Sequence, residues 1–387
     1  MGTSVADRLG ISQLVLQLIN RCKTILTCVC IFICINPYPI NAQILKDSAS
    51  LNLVRKSINY TYNLKFNDSA ESLEKLHNAY WGHPVMYLLD ALQVYWKNYP
   101  LPSYSTATTE FENDLKKCIE LCESKASNSD EAEYLLANLS ARGFLLMFYV
   151  DNDMTMSVIP LASSTYRYIR RSYDFTSYYS DFYFFTGLYD YSREAYPEAY
   201  PVYKPLAMLF PKGDKAKGLK ELQNAAESSI FLKAEASMFL TGINLSFEYN
   251  FERAYTNSKS LHEMYPSNLQ YLGFHLRNLL LTKRYDEAEK LLESSGANVT
   301  NPYYQAQIYI FSGVLQEKKY FNDRLAEQFY TKGIKDISSF GHFSNEFASY
   351  GYFGLSRISG RKGDVNLKKT YRKKADELSD FKDVNFD

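Results

Sequence analysis

The chain has 387 residues, 43 basic and 43 acidic side chains, 46% apolar residues and 22% charged ones. That apolar share supports a buried core and excludes a disordered chain, while the cancelled charge excludes the basic stripe of a nucleic-acid binder. The unusual feature is 34 tyrosines and 24 phenylalanines against 2 tryptophans; tyrosine joins a large apolar ring to a hydroxyl and suits helix seams and half-buried groove walls alike.

Arg21 and Lys23 precede an uncharged run, Thr24 to Ile35, and Asn36, Pro37 and Pro39 break any helix before Ala42. A positive flank, a short apolar run and a small residue at the cleavage position predict a secretory signal peptide over residues 1–42. The run is too short to span a bilayer comfortably; retention as an uncleaved anchor is the alternative, and it leaves membrane association open. The expected location is therefore exported, in the periplasm or at an outer membrane. Cys22, Cys28, Cys30 and Cys34 would leave with the signal. Cys118 and Cys122, four apart on one helix face, are expected as buried apolar residues rather than a disulfide or a zinc pair. Asn-x-Ser/Thr triplets stand at Asn59, Asn67, Asn138, Asn244 and Asn298.

Residues 43–195 read as degenerate helical repeats. Pro84 marks a helix start, followed by apolar residues at helical spacing. Helices are expected over Thr106 to Lys125 and Asp130 to Tyr149, with a turn at Asp151-Asn152-Asp153. There is no sustained alternation and no Asn-Gly or Asp-Gly hairpin signal, so no strands are expected. Tyr166 to Phe210 holds sixteen Tyr or Phe residues, and Pro197, Pro201, Pro205 and Pro211 break its end. Residues 196–214 are read as a proline- and tyrosine-rich crossing, extended or in short broken helices, that either lines a groove or plugs it.

Residues 215–387 carry the clearest period. The segments 235–268 and 269–302 are adjacent and 34 residues long, and Met238 meets Leu272, Leu245 meets Leu279, Phe251 meets Tyr285 and Ala254 meets Ala288. An aromatic at the turn fills the gap between paired helices, and the small residue three positions on lets them approach. Degenerate copies follow at 302–338, with Gly313, Tyr320 and Ala326, and at 345–378, with Gly354, Asp364 and Ala375.

With Gly242, Phe251, Ala254 and Pro266 in register, the pattern resembles the tetratricopeptide repeat. That resemblance implies an all-α fold, a right-handed α-solenoid of antiparallel helix pairs. The stretch with Gly187-Leu188-Tyr189-Asp190-Tyr191, the proline-rich crossing and Gly213-Asp214 ahead of Gly218-Leu219-Lys220 is similar to the tetratricopeptide repeat protein 39 and Iml2-like family and its exported bacterial relatives. The family implies a binding adaptor and no catalytic residues.

No phosphate-binding glycine loop, zinc-protease or nucleophile-elbow motif is present, and His77, His83, His262, His275 and His342 are scattered. Asp181, among aromatics, is read as a helix cap or an acceptor of tyrosine hydroxyls. No enzyme activity, cofactor or metal is expected. The expected function is a scaffold that holds a protein or peptide partner and no nucleic acid, with Tyr196, Tyr200, Tyr203, Tyr255, Tyr271 and Tyr309 as the contacting residues. The alternative is a carrier that takes a small ligand such as a glycan in an aromatic groove.

Overall fold

The computed structural model describes residues 44–124, 131–296, 299–379, 381 and 384–387. The expected signal segment, residues 1–42, and Asn298 lie outside them. Among the described residues there are helices and no strands. Sixteen of the helices are long and follow one another in eight hairpins: α1 Ser48–Tyr62 with α2 Phe66–Ala79, α3 Pro84–Lys97 with α4 Thr106–Ser124, α5 Glu131–Asp151 with α6 Thr155–Ser172, and α7 Phe182–Ala199 with α9 Lys215–Ser228. Then come α10 Lys233–Ser246 with α11 Phe251–Met264, α12 Leu269–Leu281 with α13 Tyr285–Ser294, α14 Pro302–Lys318 with α15 Asp323–Ile337, and α16 Asn345–Arg361 with α17 Val365–Leu378. The short α8, Lys204–Ala207, sits inside the fourth hairpin. Each helix packs on its chain neighbours, the arrangement of an α-solenoid.

A shared turn explains the regularity. In six hairpins the link holds one left-handed residue immediately before the residue that caps the second helix: Leu64, Asp153, Tyr249, Lys283, Phe321 and Gly363. In four of these the capping residue's N–H reaches back five positions, Lys65 to Tyr60, Met154 to Tyr149, Arg284 to Leu279 and Asp364 to Ser359, at 2.8–3.0 Å. That is a Schellman closure followed at once by a new helix. The turns at Asn250 and Asn322 are one residue longer, bonding back to Asn244 and Gln316. The reading of Tyr320 as a gap-filling aromatic is corrected: Asp323 holds the position after the cap, and Tyr320 falls before the cap, stays half exposed and donates its hydroxyl to Glu289.

The two helices of a hairpin do different work. α12 buries ten residues and α16 eleven, spread around each helix, whereas α13 buries Ala288 and Leu292 and α17 only Ala375. The first helices therefore form an inner layer and the second helices a polar outer one. Ala254, Ala288, Ala326 and Ala375 are all fully buried where an outer helix lies on its partner. Tyr330 is sandwiched between Gly313 and Gly354; a Cβ on either glycine would lie within 2.6 Å of its ring. Its hydroxyl bonds Glu317 at 2.8 Å, and Arg357 and Arg361 hold the same carboxylate at 2.8–3.0 Å. Burial works to raise the Glu317 carboxyl, but the arginines and Tyr330 outweigh it and hold it below the usual range.

Residues Ser48–Asp387 form one unit, and within it the first helices also touch the second half of the chain. Tyr62, at the end of α1, donates its hydroxyl to Glu235 near the start of α10 and accepts Asn268 Nδ2 on its carbonyl at 2.8 Å. Its ring lies 5.1 Å from Tyr265, 5.4 Å from Trp96 and 6.3 Å from Tyr271. Trp96 packs on Tyr271 at 5.4 Å, and Tyr99 stacks on Tyr304 at 6.4 Å with Tyr303 at 6.3 Å. The carboxyl ends of α1 and α3 thus meet the amino ends of α10, α12 and α14, and aromatic rings fill the junction. Ring pairs of this kind contribute about 0.5–1.5 kcal/mol each beyond the area they bury.

Glu235 is the polar centre of that seam. One carboxylate oxygen has Tyr62 as a partner and the other is buried without one, and burial pushes the carboxyl up to about 8. Its folded value lies above its ordinary value of 4.5, so its contribution is fully present below pH 4.5 and is lost as pH rises to about 8. Urea titrations across that window should show stability falling with pH by a few kcal/mol, and Glu235→Gln should flatten the slope. An unchanged slope in the variant would place the titrating group elsewhere.

Candidate functional site

Two hairpins lack the shared turn. In the second, residues 98–105 replace it and supply Tyr99 to the seam. In the fourth, residues 200–214 replace it, and the expected crossing is found there in a different form. α7 runs through Pro197 to Ala199; a 3-10 turn, Pro201–Tyr203, and α8 follow. The proline rings at 201, 205 and 211 remove N–H donors and stop any long helix from forming. The segment does not cross the array: it folds back along its own helix. Tyr189 donates to the Pro211 carbonyl at 2.6 Å, Arg193 to the Phe210 carbonyl at 3.2 Å, and the Gly213 N–H to Glu194 at 3.0 Å.

The base of this insert is tightly built. α7 and α9 cross so closely at Gly187 and Gly218 that a Cβ on Gly218 would lie 2.5 Å from the Tyr191 nitrogen. Asp214 caps α9 through the Lys217 N–H at 3.0 Å. Lys217 bridges Asp190 at 2.7 Å and Glu221 at 3.6 Å and lies over the Tyr173 ring. Burial works to lower the Lys217 ammonium, but the two carboxylates outweigh it and hold it above its usual range. Tyr191 donates to Glu248 of the next hairpin at 2.6 Å. The Gly187–Tyr191 and Gly213–Leu222 residues therefore serve helix crossing and capping.

On that base Tyr196, Tyr200 and Tyr203 come together, with Tyr196 4.8 Å from Tyr200, 5.2 Å from Tyr203 and 6.4 Å from Phe247. Each of the three is 43% exposed. In the same insert Val202, Leu206, Met208 and Leu209 are apolar and exposed, as are Lys204 and Lys212. Sequence reasoning missed these four because Val, Leu and Met read as core residues; the prolines around them were the available signal.

The other three tyrosines lie elsewhere. Tyr271 is 1% exposed inside the seam, so its expected place on an open groove is corrected: the amino end of α12 is covered by Tyr62 and Trp96. Tyr255 is on an outer helix beneath the Arg284 guanidinium, 4.2 Å from its ring, and Tyr309 stacks on Phe329 with the Lys332 ammonium at 4.5 Å. Both rings are occupied within the array.

The titratable groups are dispersed. His77 pairs with Asp90 at 2.9 Å, and His83 pairs with Glu133 at 3.0 Å. His262 and His275 stack at 5.6 Å, and burial lowers His275 to about 4. Asp181 accepts the N–H groups of Ile230, Phe231 and Leu232 at 2.7–3.0 Å, so it anchors the turn before α10 instead of taking tyrosine hydroxyls. Cys118 and Cys122 are buried and free. Asn138 and Asn244 are buried, which closes two of the Asn-x-Ser/Thr triplets to modification in the folded chain. Among the described residues no group of three metal-binding side chains converges, and no helix is long and apolar enough to cross a membrane. No family model, no curated protein and no solved structure matches the chain.

Gly218→Ala should cost roughly 1–3 kcal/mol in a denaturant titration, because its Cβ meets backbone atoms that cannot rotate away. The unrestrained Gly143, which has no atom near a built Cβ, should tolerate alanine. Equal effects at both positions would contradict the tight crossing.

Proposed function

We propose that this chain is an exported scaffold that holds a protein or peptide partner, in the periplasm or at an outer membrane, on a right-handed array of tetratricopeptide-type helix pairs. The hairpins within 235–268, 269–302, 302–338 and 345–378, each with a fully buried alanine on its outer helix, support the repeat assignment. The residue pattern of the fourth hairpin supports kinship with the tetratricopeptide repeat protein 39 and Iml2-like family. Export rests on the charge and apolar pattern of residues 1–42.

The observation that carries the binding role is the tyrosine triad: Tyr196, Tyr200 and Tyr203 are clustered, half exposed and seated on a base tied down by Tyr189, Arg193 and Glu194. Rigid aromatic side chains offer large contact area at small entropic cost. A protein partner suits the site better than a glycan, because both tryptophans, the usual sugar-stacking residues, stand elsewhere, Trp96 in the seam and Trp81 on the turn before α3.

Replacing Tyr196, Tyr200 and Tyr203 together by Ser should weaken capture of peptides on an array at least about tenfold, the loss of roughly 1.4 kcal/mol, with helical circular dichroism unchanged. Binding of oligosaccharides in place of peptides would favour the carrier reading. Equal loss of helicity and binding would make the triad a structural plug.

A further inference from the structure

The tyrosine triad does not account for what projects beyond it. Every residue from Tyr200 to Leu206 is exposed, as are Met208 and Leu209. Val202, Met208 and Leu209 are 76–80% exposed. Single exposed apolar side chains need no explanation, but a projecting group of them does.

We propose that this tip inserts into the interfacial layer of an anionic lipid bilayer and holds the scaffold on a membrane surface. Three observations carry it. Charge is the first: between Glu198 and Asp214 there is no acidic residue, and Lys204 and Lys212 flank the apolar side chains. Lysines beside an apolar segment complement anionic headgroups.

Layering is the second. Val202, Met208 and Leu209 are 76–80% exposed, whereas the three tyrosines, at 43%, keep more than half of their surface against the protein. Amphipathic rings prefer the headgroup level and aliphatic chains the layer beneath it.

Backbone satisfaction is the third. A peptide N–H leaving water without a partner is costly. At the tip Pro201, Pro205 and Pro211 have none to lose. The N–H groups of Tyr203, Lys204, Met208, Leu209 and Phe210 are bonded to Tyr200, Pro201, Lys204, Leu206 and Ala207 within the insert. The prolines that forbid a long helix also suit the segment to a dehydrated surface.

The proposal goes beyond the partner-holding reading and does not need it, since peptide capture is measured without lipid. The test uses the full chain with Leu209→Trp, compared with Tyr178→Trp and corrected for the native Trp81 and Trp96. Tyr178 is as exposed, but it precedes α7, whereas Phe210, next to Leu209, is tied to Arg193, about 17 Å along that helix from its first residue. Vesicles of phosphatidylglycerol and phosphatidylcholine with brominated acyl chains should quench tryptophan at 209 and not at 178. Adding Lys204→Gln and Lys212→Gln should raise the lipid needed by roughly thirtyfold, and phosphatidylcholine alone should quench weakly. Absence of quenching at 209, equal quenching at 209 and 178, or equal response to both lipids would overturn the proposal. So would quenching that is abolished by the triple tyrosine variant yet indifferent to the two lysines. Adsorption through any other part of the chain brings no bromine to position 209.

Discussion

The structure depends on one junction, the packing of Tyr62, Trp96 and Tyr99 against Glu235, Tyr265, Tyr271, Tyr303 and Tyr304. A strip of helix pairs in which each pair touches only its neighbours gains stability one interface at a time and leaves its inner apolar layer partly open. Here the ends of α1 and α3 are driven into the second half of the chain, and that layer is covered by the chain's own rings. Tyr271 lies inside this junction, under Tyr62 and Trp96, which is why it is inaccessible.

Two hairpin links depart from the shared turn. The second hairpin's irregular link gives Tyr99 to the seam. The fourth hairpin's link is far longer: its carbonyls at Phe210 and Pro211 are tied to Arg193 and Tyr189 and Phe210 packs on Tyr166, while Val202, Leu206, Met208 and Leu209 stay exposed. The ties at the base matter because an untethered apolar loop would collapse onto the nearest hydrophobic surface. The close crossing at Gly187 and Gly218, the Asp214 cap and the Lys217 bridge to Asp190 give the insert a fixed root. Tightness below and exposure above are two sides of one construction.

Much of this was legible from local chemistry. The all-helical class followed from apolar spacing, and the roles of Ala254, Ala288, Ala326 and Ala375 followed from the need for small residues where helices meet. The shared turn was harder to read: Leu64, Tyr249, Lys283 and Phe321 take a left-handed conformation at which glycine or asparagine is expected, and only Gly363 and the Asp151-Asn152-Asp153 turn announce themselves. The seam was not legible at all. Tyr62 and Glu235 are 173 positions apart, and no local period encodes which tyrosine will find which carboxylate. Tyrosine serves equally in core and groove, so residue type could not separate Tyr271 from Tyr196. Exposed Val, Leu and Met at the insert tip look in sequence like any buried segment; the surrounding prolines mark the break but not its direction.

The junction makes a demand that an open array does not. A disturbance in α1 should be felt across the seam, in helices remote in sequence, more strongly than in the helices between. Native-state hydrogen exchange on Tyr62→Ala measures this directly. Amides of α10 and α12 should lose more protection than those of α5 and α6, which stand nearer in the chain. Loss of protection that fades steadily from α1 along the sequence, reaching α5 before α12, would contradict the account.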